Sequence, residues 1–332
     1  IKGIPQRLYR LFLPPLFKLS KLPIINLIDS LRDYVKRAPF NGVLLLLLLV
    51  FTGASLFSFF GFVIAQLVLG IPLLTEPNLL DNMTDPELVP ALRVMQVLQA
   101  IGMLILPAYI YLWVSSSWAR VKALFDFPKR QPVLIGLVIF MVAFPFINYL
   151  AQWNSSLELP SDIGDWMRSK EEQAGAITAM FLDMPSIGHL LFNIFMIAML
   201  PALGEELIFR GVIQRGIHRF SGNPHVAIWL AAILFSAIHF QFLGFVPRML
   251  MGAALGYLFF WSGNLWYPII AHFANNGLAV VLAYGIQHGS IDEEIEMAGM
   301  DNAGMAAFSL AFCLMLLYLF KQHQQARFVP NT

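Results

Sequence analysis

Seven stretches of this chain contain no Asp, Glu, Lys or Arg: 41–75, 94–119, 131–157, 184–204, 220–247, 249–291 and 302–320. A bilayer core about 30 Å thick is crossed by roughly 20 apolar residues of helix. In hydrocarbon every backbone polar group must be satisfied within the structure, which leaves helices and closed barrels. The runs do not alternate with a period of two, so a barrel is excluded. Residues 249–291 are twice the needed length and are broken by the turn cluster Ser262-Gly263-Asn264-Leu265-Trp266-Tyr267-Pro268. That stretch reads as two spans, giving an all-α polytopic membrane protein, a bundle of about eight transmembrane helices. Charged residues make up 12% of the chain, against about 25% in soluble domains. A soluble enzyme, a disordered chain and a coiled coil are excluded together.

The basic residues orient the bundle. Residues 1–40 carry eight Lys/Arg, 115–131 four, 205–225 three and the C-terminal tail two, which is 17 of 21 in alternate loops. The opposite loops, 75–93, 154–185 and 287–303, hold three Lys/Arg but fifteen Asp/Glu. The expectation is a protein of the cell (plasma or inner) membrane with both termini cytosolic. Arg248, left over at the start of the sixth span, reads as snorkelling to the outer interface. Residues 1–40 lack a cleavage site and are not read as a signal peptide. Within them Leu27, Ile28, Leu31, Tyr34 and Val35 recur at helical spacing between charged residues, which suits a helix on the inner leaflet. A net charge of +1 gives no basic field for nucleic acid, so the lipid bilayer is the expected surrounding partner. Cys313 lies in an apolar run and reads as a buried small hydrophobe.

Ionisable groups inside spans are costly and mark function by default. Here they fall in three places. Glu205, Glu206 and Arg210 close the fourth span, Phe235 and His239 lie in the fifth, and His272 and Asn276 lie in the seventh. Glu206 and Arg210 are i, i+4 and share a helix face, with the acid N-terminal, the better order for an ion pair. Glu205 is turned about 100° away, so Glu206 reads as structural and Glu205 as available. A carboxylate beside another in a poorly solvated site is suited to general-base work; two carboxylates capping the membrane boundary is the plainer alternative. If the fourth helix runs on to Arg219, Glu205 stands 14 residues before the turn 220–224 and His239 stands 14–15 after it. An antiparallel hairpin then levels the two, roughly 20 Å from the turn. Phe235, one turn before His239, would wall the imidazole. His272 and Asn276, again i, i+4, can offer N–H donors to one point, which suits a developing oxyanion and equally suits packing between helices. Gly252 and Gly256 read as close helix packing.

Glu-Glu-x-x-x-Arg, Phe-x-x-x-His and His-x-x-x-Asn, in this order on three spans, resemble the CAAX protease and bacteriocin-processing family of intramembrane proteases. That group contains type II CAAX prenyl endopeptidases, lysostaphin-resistance-protein-A-like proteins and bacteriocin self-immunity proteins. The flanking words Glu-Glu-Leu-Ile-Phe-Arg-Gly-Val-Ile-Gln and Leu-Trp-Tyr-Pro-Ile-Ile-Ala-His fit as well. The resemblance covers about residues 185–285 and implies a protease core over 185–286. Charge and hydropathy divide the rest into an interfacial segment 1–40, three spans over 41–184, and an acidic loop, last span and tail over 287–332. The resemblance also implies a site within reach of the cytosolic side that hydrolyses a peptide bond of a membrane-associated protein or peptide. Glu205 would be general base, His239 would help polarise the water, His272 and Asn276 would stabilise the oxyanion, and Glu206 with Arg210 would hold the base helix. No cofactor is expected. Zinc is the alternative, with Glu205, His239 and His272 as three ligands, although the His-Glu-x-x-His pair common in zinc proteases is absent. A proton-coupled transporter or a non-catalytic immunity or scaffold factor would use the same polar residues differently.

Overall fold

The computed structural model describes residues 30–35, 39–116, 118–157 and 160–325. The expected inner-leaflet helix falls partly on residues 27–29 and 36–37, outside the described residues. Its described part, 30–35, is helical, and Val35 is buried beside Leu45 and Val114. The last seven residues also lie outside.

Among the described residues the protein is helical with no strand, an all-α polytopic membrane protein. The helices are α1 (Pro39–Leu67), α2 (Pro86–Ser115), α3 (Arg130–Ser155), α4 (Ser161–Phe181), α5 (Ile187–Ser221), α6 (Pro224–Ala237), α7 (Phe245–Ser262), α8 (Trp266–Gln287) and α9 (Ala303–Gln325). Seven of these are long and apolar enough to cross a membrane. Helix α4 is the amphipathic insert of an acidic loop. Helix α6 occupies the fifth expected span but has only 14 residues, about 21 Å at 1.5 Å per residue. The rest of that charge-free stretch bends back, with Phe240 at φ 53°, because its turn is built from uncharged residues that a count of charges passes over.

The fourth span differs in the other direction. The charge-free run stops at 204, but the helix continues to Ser221, as the hairpin register through Arg219 requires, and Glu206 and Arg210 are buried inside the bundle. Two segments of α5, Ile194–Met199 and Leu207–Gln214, and one of α2, Ala100–Ile105, are π-helical. Such wide turns redirect side chains and recur at functional sites. Gly204 shows why the helices meet there: a Cβ at this position would stand 2.7 Å from Leu104 Cβ of α2. The hairpin closes as the spacing predicts. Gly222 takes φ 66°, and Asn223 Oδ1 accepts from His225 N at 2.9 Å and Val226 N at 3.3 Å, capping α6.

The turn from α6 to α7 is pinned from outside. Asn154, at the end of α3, donates through Nδ2 to Phe242 O at 2.9 Å and accepts from Val246 N at 3.0 Å. Helix α4 adds Glu171 Oε2, accepting from Leu243 N at 3.3 Å, and Trp166, 5.2 Å from the Phe242 ring. These contacts fix the short segment that carries His239.

Candidate active site

Near the middle of α5 the chain places two neighbouring carboxylates on different sides of the helix. Glu206 is fully buried. Its Oε1 accepts from Arg210 Nη1 at 2.8 Å and lies 2.8 Å from His272 Nδ1. Arg210, 1% exposed, spends Nη2 on Gly252 O of α7 at 2.8 Å and lies 4.9 Å from the centre of the Phe235 ring. One turn on, Gln214 Nε2 donates to Gly256 O at 3.0 Å. Gly252 and Gly256 therefore do more than let helices approach: a Cβ at Gly252 would meet Phe235 and Ala232 of α6, while both carbonyls accept from α5 side chains. A buried guanidinium needs such partners, because removing one member of a buried pair leaves an uncompensated charge. Glu206→Gln is therefore expected to cost about 3–5 kcal/mol of stability, read as a lower melting temperature in detergent.

Glu205 faces the other way. His239 Nε2 stands 3.9 Å from its Oε1, and His272 Nε2 stands 3.9 Å from its Oε2. Both gaps exceed hydrogen-bond length. The imidazoles are oriented by their other nitrogens. His239 Nδ1 is 2.7 Å from Phe235 O, and a carbonyl can only accept, so Nδ1 carries the hydrogen and Nε2 presents a lone pair in the neutral ring. His272 Nδ1 is held by Glu206 in the same sense. Phe235 stands between the groups, with ring centres 5.1 Å from His239, 6.0 Å from His272 and 5.2 Å from Phe209.

The structure thus brings Glu205, Glu206, Arg210, Phe235, His239 and His272 into one cluster across α5, α6, the α6–α7 turn and α8. Asn276 lies one turn beyond His272, but its amide is engaged elsewhere. Nδ2 donates to Ile197 O in the first π segment of α5 at 3.3 Å, and Asn275 Nδ2 donates to its Oδ1 at 3.1 Å. The bond to Ile197 O engages one of the two N–H groups that the Asn276 amide offers.

Arg248, expected to snorkel, turns its guanidinium back onto the α6–α7 turn. It is half-buried, with Nη1 on Gln241 O and Nη2 on Gln241 Oε1, both at 3.0 Å. It is close enough for its charge to act on Glu205, His239 and Glu171. Its one sequence signal was a single cation between two charge-free stretches.

For zinc the available donors are Glu205, His239 Nε2 and His272 Nε2. Tetrahedral ligands at about 2.0–2.1 Å stand about 3.3 Å from one another, closer than the 3.9 Å separations here. Among the described residues no group of three His, Cys, Asp or Glu could hold a metal ion as placed.

Residues 187–278 match the family model described as type II CAAX prenyl endopeptidase Rce1-like, the family that the three motifs resemble. The chain is also 32% identical over 112 residues to "Uncharacterized protein YpbD" of Bacillus subtilis (strain 168), covering 32% of this chain and 52% of that protein. The chain thus spans about half the length of this curated relative. No solved structure matches it.

Proposed function

We propose that the protein is an intramembrane endopeptidase in which Glu205 activates the water that attacks a peptide carbonyl. The observation that carries this reading is the pair of 3.9 Å gaps between Glu205 and the Nε2 atoms of His239 and His272. A polar contact of that length is one that a single water bridges. On the His239 side both facing groups are acceptors, so a water would donate one hydrogen to Glu205 and the other to His239 Nε2. Its oxygen lone pair is then left for the carbonyl carbon. As the C–O bond forms, Glu205 takes the proton; it returns that proton to the amine nitrogen as the C–N bond breaks.

Charge on the carbonyl oxygen needs donors. His272 can supply one only as an imidazolium, because its Nδ1–H is spent on Glu206. In that form Glu205, Glu206, Arg210 and His272 sum to zero charge. Asn276 supplies a second donor through the other N–H of the amide that holds Ile197 O. The matched family acts on C-terminal Cys-aliphatic-aliphatic-X segments, which carry a prenyl group on the cysteine. A membrane-associated protein with such an end is the proposed substrate class.

The deciding experiment is N-terminal profiling of membrane peptides from cells carrying wild type or Glu205→Gln. New N-termini that need Glu205 support the endopeptidase. Identical profiles, together with Glu205-dependent proton flux in liposomes, would make it a carrier. Identical profiles without flux would leave a non-catalytic scaffold. Chelators are expected to leave cleavage unchanged; abolished cleavage that zinc restores would move Glu205, His239 and His272 to a metal. For orientation, the 17-to-3 distribution of basic residues supports a topology with both termini in the cytosol. Reporter fusions at Ser155 and after Thr332 should then report opposite compartments, and a shared compartment would refute that topology.

A further inference from the structure

At the basic-loop end of the bundle stand cations that the candidate site does not use. Arg215 and Arg219 leave the last part of α5 one turn apart, and Arg120 lies on the short helix Trp118–Ala123. The charges of Arg219 and Arg120 both act on Arg215. None of the three makes an ion pair among the described residues. The Arg215 side chain donates Nη1 to Gly211 O at 3.3 Å, which satisfies one N–H of five. Like charges gathered this way repel, and among the described residues no carboxylate pairs with them.

Beside them are two adjoining hollows. One, of about 270 Å³, lies between α5, α6 and α7, with Ala227, Phe259 and Phe260 as apolar walls and Gln214 on its polar side. The other, of about 260 Å³, is lined by Arg215, His218 and Arg219. Arg215 and His218 border both. Gln214 is 5% exposed, and its Oε1 is buried without a hydrogen-bond partner. A small water-soluble anion would use the cationic hollow and have no use for the aromatic one. A molecule with an anionic head and a hydrocarbon body uses both, and the ends of membrane helices are where such molecules lie.

We infer that a phospholipid of net negative headgroup seats here, with its phosphate between Arg215 and Arg219 and its apolar part against the exposed ring of Phe260. The guanidinium forks match phosphate oxygens in pairs. The site is separate from Glu205 and stands or falls independently of the proposed activity.

The test uses the full chain in a neutral detergent, with phosphatidylglycerol and phosphatidylcholine of identical acyl chains competing for it. Native mass spectrometry reads the retained lipid. Wild type should retain phosphatidylglycerol about ten-fold over phosphatidylcholine, as one charge-assisted contact allows. Arg215→Gln with Arg219→Gln should remove that preference. Should the double variant fail to stay monodisperse, Arg219→Gln alone carries the test, since Arg219 is exposed. Phe260→Ala, which removes the exposed apolar wall of the hollow, should weaken retention with the arginines intact. Arg130→Gln, which removes an exposed charge that borders neither hollow, should change nothing. Equal retention of the two lipids by wild type would overturn the inference. So would displacement by excess inorganic phosphate, an unaffected Phe260→Ala variant, or an equal effect of Arg130→Gln.

Discussion

Replacing Glu205 by Gln is expected to leave the fold intact and to reduce turnover by about 10²–10⁴-fold, the range a positioned general base contributes. The amide keeps the shape of the carboxylate but cannot take a proton from water. Little stability should be lost, because the neighbouring Nε2 atoms stand 3.9 Å away and no direct hydrogen bond to them is broken. KM should hardly move, since the missing interaction develops in the transition state. Glu205→Asp is a finer probe. It keeps the chemistry and draws the carboxylate back by one methylene, and a misplacement of about 1 Å can cost about 10²-fold. Glu206→Gln makes the contrast: one residue along the same helix, it should lower the melting temperature as well as the activity. Near-normal turnover in Glu205→Gln would remove Glu205 as the base.

Charge-free runs revealed most of the helices because the hydrocarbon core punishes both unpaired backbone groups and bare charges. The same rule misplaced two boundaries. It ended α5 at Gly204, since Glu205, Glu206 and Arg210 look like a water boundary when their partners, Gly252 O and His272, lie far along the chain. It lengthened α6 because the bend near Phe240 contains no charged residue to mark it. The level placement of Glu205 and His239 was legible because a hairpin turns equal residue counts into equal heights. What spacing could not give was side-chain direction. Arg248 folds back onto Gln241, and Phe235 serves Arg210 as well as His239. Neither choice leaves a trace in helical periodicity, because each is made by a neighbouring element.

Asn276 is where direction matters most. If its amide stabilises the oxyanion, Asn276→Ala should lower kcat by about 10²–10³-fold with KM little changed, the loss expected for one donor at such a site. In the arrangement seen here the amide rests on Ile197 O at 3.3 Å, and the truncation removes that bond too, at about 0.5–1.5 kcal/mol of stability. The two roles separate cleanly. A clasp between α8 and α5 predicts a lower melting temperature with kcat preserved. An oxyanion donor predicts a kcat loss far larger than the stability change explains. His272→Ala should cost more on both counts, because it removes a donor and leaves fully buried Glu206 with Arg210 as its remaining partner. Its activity loss should not be accompanied by release of zinc. If Asn276→Ala turns over normally while His272→Ala is inactive and has lost bound zinc, the oxyanion pair is wrong and His272 is a metal ligand.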